Sequence, residues 1–548
     1  MTEAIAARIG GQPVLILKEG TDRSVGREAQ HSNIQAARAV AEAVKSALGP
    51  KGMDKMLVAS FGDVTITNDG ATILKEMDVQ NPAAKMMVEV SKTQDQEVGD
   101  GTTTAVVLAA ELLTKAEELI DKDVHPTIIV DGYRQATERA LEVLDEIAIK
   151  VEPNDKKALR DVAVTSQASK LLSENADYIA NIAIDAILQV AEQTPEGWNA
   201  DIEDIKVEKK AGGSLEDTKL INGLVIDKEV VHSGMPKSIK NPKIALLNSA
   251  LEVEKTEFDA KINIQRPEQM KAFLDEEEKM LREMVEKVKS SGANVLLCQK
   301  GIDDVAQHFL AKEEIAAIRR VSEKDIEKLS KATGGKIVTN IDDLKSEYLG
   351  KADLFEERKI SDDKMTFIEG CKNPKAVAIL IRGGTERIVN EAERSIHDAL
   401  CVVRDVIREP RIVAGGGAAE LEVASKLRRY AEKLTGKEQL AVICYAEALE
   451  VIPMTLAENA GLDPIDILVE LRSMHEKGEK WAGVDVNKGK AMDMTKSNVY
   501  EPLVVKSQVV NSASEAGSMI LRIDDVISAS KPKDTPPGPP GGEPSEYD

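Results

Sequence analysis

The chain has 548 residues, with 72 lysines and arginines against 95 aspartates and glutamates, a formal net charge of −23. That length suits about three or four domains with sizeable cores, and the acidic balance argues against a general nucleic-acid or anionic-membrane binder. Cys298, Cys371, Cys401 and Cys444 form no CxxC pair and the six histidines no HExxH, so neither a disulfide framework nor a zinc site is indicated. The N-terminal stretch lacks an apolar core behind a basic start, and no run approaches the ~20 apolar residues of a membrane span. The expectation is a cytoplasmic, soluble protein.

From about residue 28 to 150 the chain is Ala-rich and helical, interrupted by the strand-like VTIT at 64–67. LGPKGMDKML at 48–57 closes the first long helix with Gly49, Pro50 and Gly52. TNDGATIL at 67–74 sets Asp69 beside Gly70 in a tight turn, a pattern that by itself most often marks a hairpin. GDGTTT at 99–104 runs straight into a helix that starts near Thr102, with Val106, Ala109, Ala110, Leu113, Ala116 and Ile120 near one face. The unpaired amides and partial positive charge of a helix start attract an anion. Gly99 and Gly101 permit close backbone approach, Thr102, Thr103 and Thr104 add hydroxyls, and Asp100 can hold a hard cation brought by a polyphosphate. The same six residues also suit an ordinary capped helix after a glycine turn.

After about residue 220 the texture turns mixed α/β, with short apolar strands such as KIALLN, NVLLC and KIV alternating with helices such as DDVAQHFLAK and DIEKLSKAT. Within it, 267–290 reads as one amphipathic helix with Met270, Phe273, Leu274, Leu281, Met284, Val285 and Val288 on a single stripe. Such a stripe ordinarily packs into a core. From about 410 the Ala-rich helical character returns, led by RIVAGGGAAELEVA at 411–424, where a triple glycine joins a strand to a helix and again presents bare amides. The economical explanation is a base built from both ends of the chain with a mixed domain inserted between, joined through connectors at about 152–220 and 374–405. The final KPKDTPPGPPGGEPSEYD is Pro/Gly-rich and expected to be disordered. No GxxxxGK[ST], strand-bound GxGxxG or kinase signature is present.

Taken in order, LGPKGMDKML, NDGATIL, GDGTTT, the distant RSIHDAL at 394–400 and VAGGGAAE at 413–420 closely resemble the group II chaperonin subunits, the archaeal thermosome type related to the eukaryotic cytosolic chaperonin. The resemblance reaches to about residue 525. It implies a multidomain α and α/β fold: a discontinuous helical equatorial ATP-binding domain (1–151 and 406–526), a small intermediate domain (152–220 and 374–405), an inserted α/β apical domain (221–373) with a helical protrusion near 250–290, and a disordered tail (527–548). It implies an ATPase that encapsulates unfolded protein clients in a homo- or hetero-oligomeric double ring and folds them through closure of a built-in lid, with ATP and Mg2+ as cofactors. By the same resemblance Gly49 and Pro50 lie against the nucleotide, Asp100 coordinates magnesium, and Gly101, Thr102, Thr103 and Thr104 cradle phosphate. Gly416 and Asp493, from AMDM at 491–494, contact the ribose and base side. Asp69 and Asp398 orient the attacking water, and Lys170, in VTSQASK, senses the γ-phosphate, although a glycine commonly precedes that lysine and here Ser169 does. Two other classes of function fit parts of the chain: an ATP-dependent enzyme acting on a small molecule, and a passive holdase that binds nucleotide without hydrolysing it. The ordered motif set argues against both.

Overall fold

A computed structural model describes residues 6–9, 12–15, 22–59, 62–169, 175–195, 197–253, 267–372 and 374–528. Its buried apolar side chains gather into three large cores.

The first core draws on both ends of the chain. Met87, Leu108, Leu112 and Tyr133 from the first 150 residues meet Leu421, Tyr445, Leu449 and Val509 from beyond 410. At its centre runs the helix Thr102–Asp121, in which every residue from Thr102 to Ala110 is buried, together with Leu112, Leu113, Ala116, Leu119 and Ile120. A helix apolar on all sides can only be stable when surrounded. Helices Arg27–Lys45, Pro82–Val98, Lys437–Leu449 and Leu503–Leu521 enclose it. The Ala and Gly content lets the helices of this core approach closely: a Cβ on Gly132, in helix Pro126–Ile147, would lie 2.5 Å from the Ala441 Cβ. The Tyr133 hydroxyl donates to the Leu112 carbonyl at 2.7 Å, and its ring meets Tyr445 edge-on at 5.4 Å, so that pair fastens the two ends of the chain together. The stretch Lys437–Asn459 is long and apolar enough to cross a membrane by length and composition, contrary to the expectation from sequence. It is two successive helices of this core, with 72% of its most apolar window buried.

The second core, spanning residues 221 to 380, carries two sheets. Strands Ala316–Ile318, Val295–Cys298, Lys243–Leu247 and Ile337–Val338 run parallel in that spatial order, alternating along the chain with helices Asp304–Lys312 and Glu323–Thr333 as the sequence predicts. The second sheet is antiparallel, Gly223–Ile226, Asp363–Glu369, Leu354–Ile360 and Ser238–Lys240. The predicted stripe on helix Pro267–Ser290 divides in two. Leu281, Val285 and Val288 are buried and Met284 is partly buried against the same core, whereas Met270, Phe273 and Leu274 are exposed at 52, 44 and 57%, as is Met280, outside the stripe, at 42%. The first half of the helix therefore stands clear of the core and the second half is part of it.

The third core joins residues 159–215 to 377–412. Strand Val377–Gly383 lies parallel to Ile205–Ala211 and antiparallel to Lys219–Ile221; helices Ala176–Val190 and Glu386–Arg408 cover this sheet, and helix Lys156–Gln167 packs on those two helices. Strand Arg411–Ala414 then pairs with both Ile149–Lys150 and Tyr500–Pro502, which stitches the chain's two crossings between the first and third cores side by side. Of the tail expected to be disordered, Ile527 and Ser528 instead end a strand, Asp525–Ser528, that pairs with Asp22–Val25, and Arg23 and Asp525 form an ion pair across it at 2.5 Å. Residues 529–548 lie outside the described residues.

Candidate functional site

The three glycine loops converge. Helix Pro82–Val98 ends on Gly99 at φ +69°, whose amide donates to the Gln94 carbonyl, and helix Thr102–Asp121 begins at Gly101, φ +76°. Asp100 thus sits on a two-glycine pivot between consecutive helices. Both glycines occupy the left-handed region that other residues adopt at a cost, and both are hemmed in. A Cβ on Gly99 would lie 2.2 Å from the Cys401 Sγ, and one on Gly101 would lie 3.0 Å from a Val509 methyl. Gly99→Ala should accordingly destabilise the protein by about 1–3 kcal/mol, from overpacking and positive φ together. An unchanged urea midpoint would contradict this packing.

The Asp100 carboxylate accepts from the Gly101 amide at 2.7 Å, and its carbonyl accepts from Gln94 Nε2 at 2.9 Å. Asp69, expected in a hairpin-like turn, instead caps the N-terminus of helix Gly70–Glu76. One of its oxygens accepts from the Thr72 amide at 2.8 Å and hydroxyl at 2.7 Å, the other from the Thr102 hydroxyl at 3.2 Å. Gly70 is needed there, since a Cβ would come within 2.5 Å of the Thr103 Oγ1. The triple glycine turns strand Arg411–Ala414 into helix Ala418–Ala431, with Gly416 and Gly417 at φ +66° and +79°.

These loops enclose a cavity of about 350 Å³. Of the twelve residues predicted from sequence, Gly49, Pro50, Asp69, Asp100, Gly101, Thr102, Thr103, Thr104, Asp398 and Gly416 line it. Asp398 arrives on helix Glu386–Arg408 of the third core and is 8% exposed. Asp493 is not among the lining residues. Its carboxylate is taken up by the Thr495 amide at 3.0 Å and hydroxyl at 2.6 Å, which fixes the turn Met494–Ser497, and it is Met494, Ser497 and Asn498 that face the cavity. Lys170 lies outside the described residues.

Sequence reasoning missed three contributors. Lys506, the lone charge in the first half of helix Leu503–Leu521, lines the cavity and lies 2.7 Å from both Glu420 and Glu501. Although burial works against its charge, the two glutamates hold the ammonium above its ordinary range, while burial raises the Glu501 carboxyl despite the pull of Lys506. Removing one member of such a buried set strands the others without a counter-charge. Asp485, also in the lining, accepts from the Ser497 hydroxyl at 2.8 Å and from the Lys488 amide at 2.9 Å. Burial opposes its charge, but these donors, with the Lys488 ammonium, hold the carboxyl below its usual range. Arg404 reaches from the third-core helix to the Glu97 carbonyl at 2.8 Å, just before the Asp100 loop, and pairs with Asp405 at 2.6 Å. Burial pushes that Asp405 carboxyl up to about 6, against the pull of Arg404. A lysine in an apolar helix and a glutamate in the first turn after a glycine run were the available signals.

A helix start with three buried threonines, a carboxylate on a glycine pivot and two further carboxylates from different elements thus face one cavity, an arrangement able to receive an anion together with a hard cation. Comparison with known proteins shows the family. The sequence pattern of the TCP-1/cpn60 chaperonin family matches residues 40–531. The chain is 59% identical over 541 residues to a thermosome subunit of Pyrococcus horikoshii, covering 99% of this chain and 98% of the relative. It is 59% identical over 536 residues to the thermosome subunit beta of Thermococcus kodakarensis, covering 98% of each. With the thermosome subunit alpha of Archaeoglobus fulgidus it shares 58% over 539 residues, 98% of this chain and 99% of that one. Similarity of that extent, along the whole length in which the glycine loops and the buried connector helix occur, makes the chain a group II member of the TCP-1/cpn60 chaperonin family.

Proposed function

We propose that this ATP-dependent chaperonin, an ATPase of protein folding, hydrolyses ATP in the cavity between its first and third cores. The observation that carries this reading is the convergence of ten predicted residues from five separate sequence motifs on one cavity. The start of helix Thr102–Asp121 and its threonine hydroxyls bind phosphate, Gly49 and Pro50 flank the nucleotide, and Gly416 lets the backbone approach the ribose side. Asp493 acts one layer back, by holding the turn that presents Met494 and Ser497. The donor set suits Mg2+: Asp100 offers hard carboxylate oxygens beside a phosphate cradle, and magnesium prefers one or two carboxylates plus phosphate oxygens to a full protein cage. When bound, that ion neutralises charge on the phosphates. Asp69 and Asp398 hold a water in line and accept its proton. Because Asp398 belongs to the third core, a swing of helix Glu386–Arg408 sets when the two carboxylates face each other.

We further propose equatorial, intermediate and apical domains with the boundaries given above, assembled with other copies or related subunits into a double ring whose lid closes over unfolded polypeptide. Two ribbons with exposed apolar residues support assembly through the first core. The hairpin Lys55–Val58 with Val64–Thr67 leaves Met53, Met56 and Val58 69, 66 and 66% exposed, and the ribbon Asp22–Val25 with Asp525–Ser528 leaves Val25 and Ile527 54% exposed. Two-stranded ribbons with apolar, unpaired edges are marginal alone and are stabilised by pairing with further strands. The test is Met56→Lys with Val58→Lys, introducing like charges on the hairpin's exposed face. Negative-stain images and gel filtration should show single subunits in place of rings; undisturbed rings would place the contact elsewhere.

A further inference from the structure

Behind the nucleotide cavity lies a second one of about 380 Å³, and the two share only Asp69 and Asp398. Asp69 straddles the partition. Its one oxygen accepts from Thr102, which lines the first cavity, and its other oxygen from Thr72, which lines the second. The second cavity is walled by all three cores: Asp69, Thr72 and Asp95 from the first, Lys328 from the second, and Ile205, Val207, Arg394 and His397 from the third. The two carboxylates that hold the attacking water are therefore a septum with water-sized space on both sides.

Hydrolysis poses a problem of exit. Cleavage leaves inorganic phosphate beside Asp69 and Asp398, with ADP still filling the rest of the cavity, and with two carboxylates repelling it. We propose that the second cavity is the passage by which inorganic phosphate leaves, drawn past the septum by Lys328 and Arg394. This rests on the reading that Asp69 and Asp398 face the γ-phosphate. Lys328, on helix Glu323–Thr333, is half-buried, and burial lowers its ammonium below the ordinary range, the mark of a cation not fully compensated by its surroundings. Arg394 is pinned by Glu391 at 3.0 Å. Asp95, Glu203 and Glu393 also line the space, although Glu393 is paired with Lys209 at 2.6 Å. Mixed charge suits transit rather than storage: an anion is attracted past the septum without being trapped. Because the walls belong to three cores, the swing that removes Asp398 from the nucleotide also changes the bore of the passage, which ties phosphate release to reopening.

The experiment is a single turnover of assembled rings, following total phosphate by acid quench and free phosphate with a fluorescent phosphate-binding protein. Two variants outside the nucleotide cavity are used, Lys328→Met, which removes the cation, and Val207→Phe, which narrows the bore. In both, total phosphate should form at the unmodified rate while free phosphate lags by about tenfold, as when product release becomes limiting. Free phosphate that follows total phosphate in both variants as closely as in the unmodified protein would overturn the proposal. If Val207→Phe fails to assemble, Lys328→Met, at a half-buried position, decides alone. Failure of the underlying site reading appears on a different trace, as undiminished total phosphate from Asp398→Ala.

Discussion

Replacing Asp398 by alanine should lower steady-state ATP turnover by about 10²–10³-fold, the usual cost of removing a positioned general base, while leaving the affinity for ATP nearly unchanged. A factor of 100 corresponds to about 2.7 kcal/mol of transition-state stabilisation. The separation of binding from turnover follows from position. The Asp398 side chain enters the cavity from helix Glu386–Arg408, whereas the phosphate cradle and glycine loops all belong to the first core. Alanine is the best helix former, so the substitution leaves that helix intact. Asp100→Ala is the contrasting case. It removes the residue on the glycine pivot, and Mg-ATP binding itself should weaken, with the loss seen in KM or Kd rather than only in kcat. Equilibrium binding of a fluorescent ATP analogue beside steady-state turnover separates the two. Near-normal hydrolysis by the Asp398→Ala protein would remove that residue from its role.

The parts of this site that were legible in the sequence are those written locally. Gly99, Asp100 and Gly101 announce a sharp turn between helices because only glycine takes the two left-handed conformations cheaply, and Thr102 to Thr104 announce a polar helix start. The alternation of KIALLN, NVLLC and KIV with helices announced a mixed α/β unit, whose strands run parallel. What stayed hidden depends on residues far apart in the chain. Lys506 meets Glu420 across 86 positions, Arg404 meets the Glu97 carbonyl across 307, and no spacing rule encodes either. Asp493 is a different case. Its motif was visible, but a short Asp-Met-Thr sequence is equally the signature of a side chain bonding the amide and hydroxyl two residues ahead, and here one carboxylate oxygen makes both of those bonds. For helix Pro267–Ser290 periodicity gave the face but not its length of burial, because a stripe is the same whether its neighbour covers all of it or half.

That half-covered helix fixes where the chain can be cut. The exposed part carries Met270, Phe273, Leu274 and Met280, and a solvent-facing Met- and Phe-bearing surface suits either lid contacts or varied unfolded clients. The buried part anchors the helix. Leu281, Val285 and Val288 enter the second core, the Arg282 guanidinium lies 4.9 Å from the centre of the Phe309 ring, and Lys289 pairs with Glu313 at 2.6 Å. Replacing residues 255–279 with a short Gly/Ser linker should therefore leave rings, circular dichroism and ATP hydrolysis close to those of the intact protein, since such linkers impose no structure. Client folding should fail: the truncated rings should capture an unfolded protein yet no longer shield it from protease after ATP is added. Carrying the same deletion on to residue 288 should have a different and larger effect. It strips three buried aliphatic side chains from one core, each costing about 2–5 kcal/mol on removal of a large side chain, against the 5–15 kcal/mol that stabilises a typical domain. The longer deletion should unfold the second core, with loss of its cooperative melting transition. Protease protection that survives the shorter deletion would show that the exposed half of the helix is no lid, and a longer deletion that melts like the intact protein would show that Leu281, Val285 and Val288 do not anchor it.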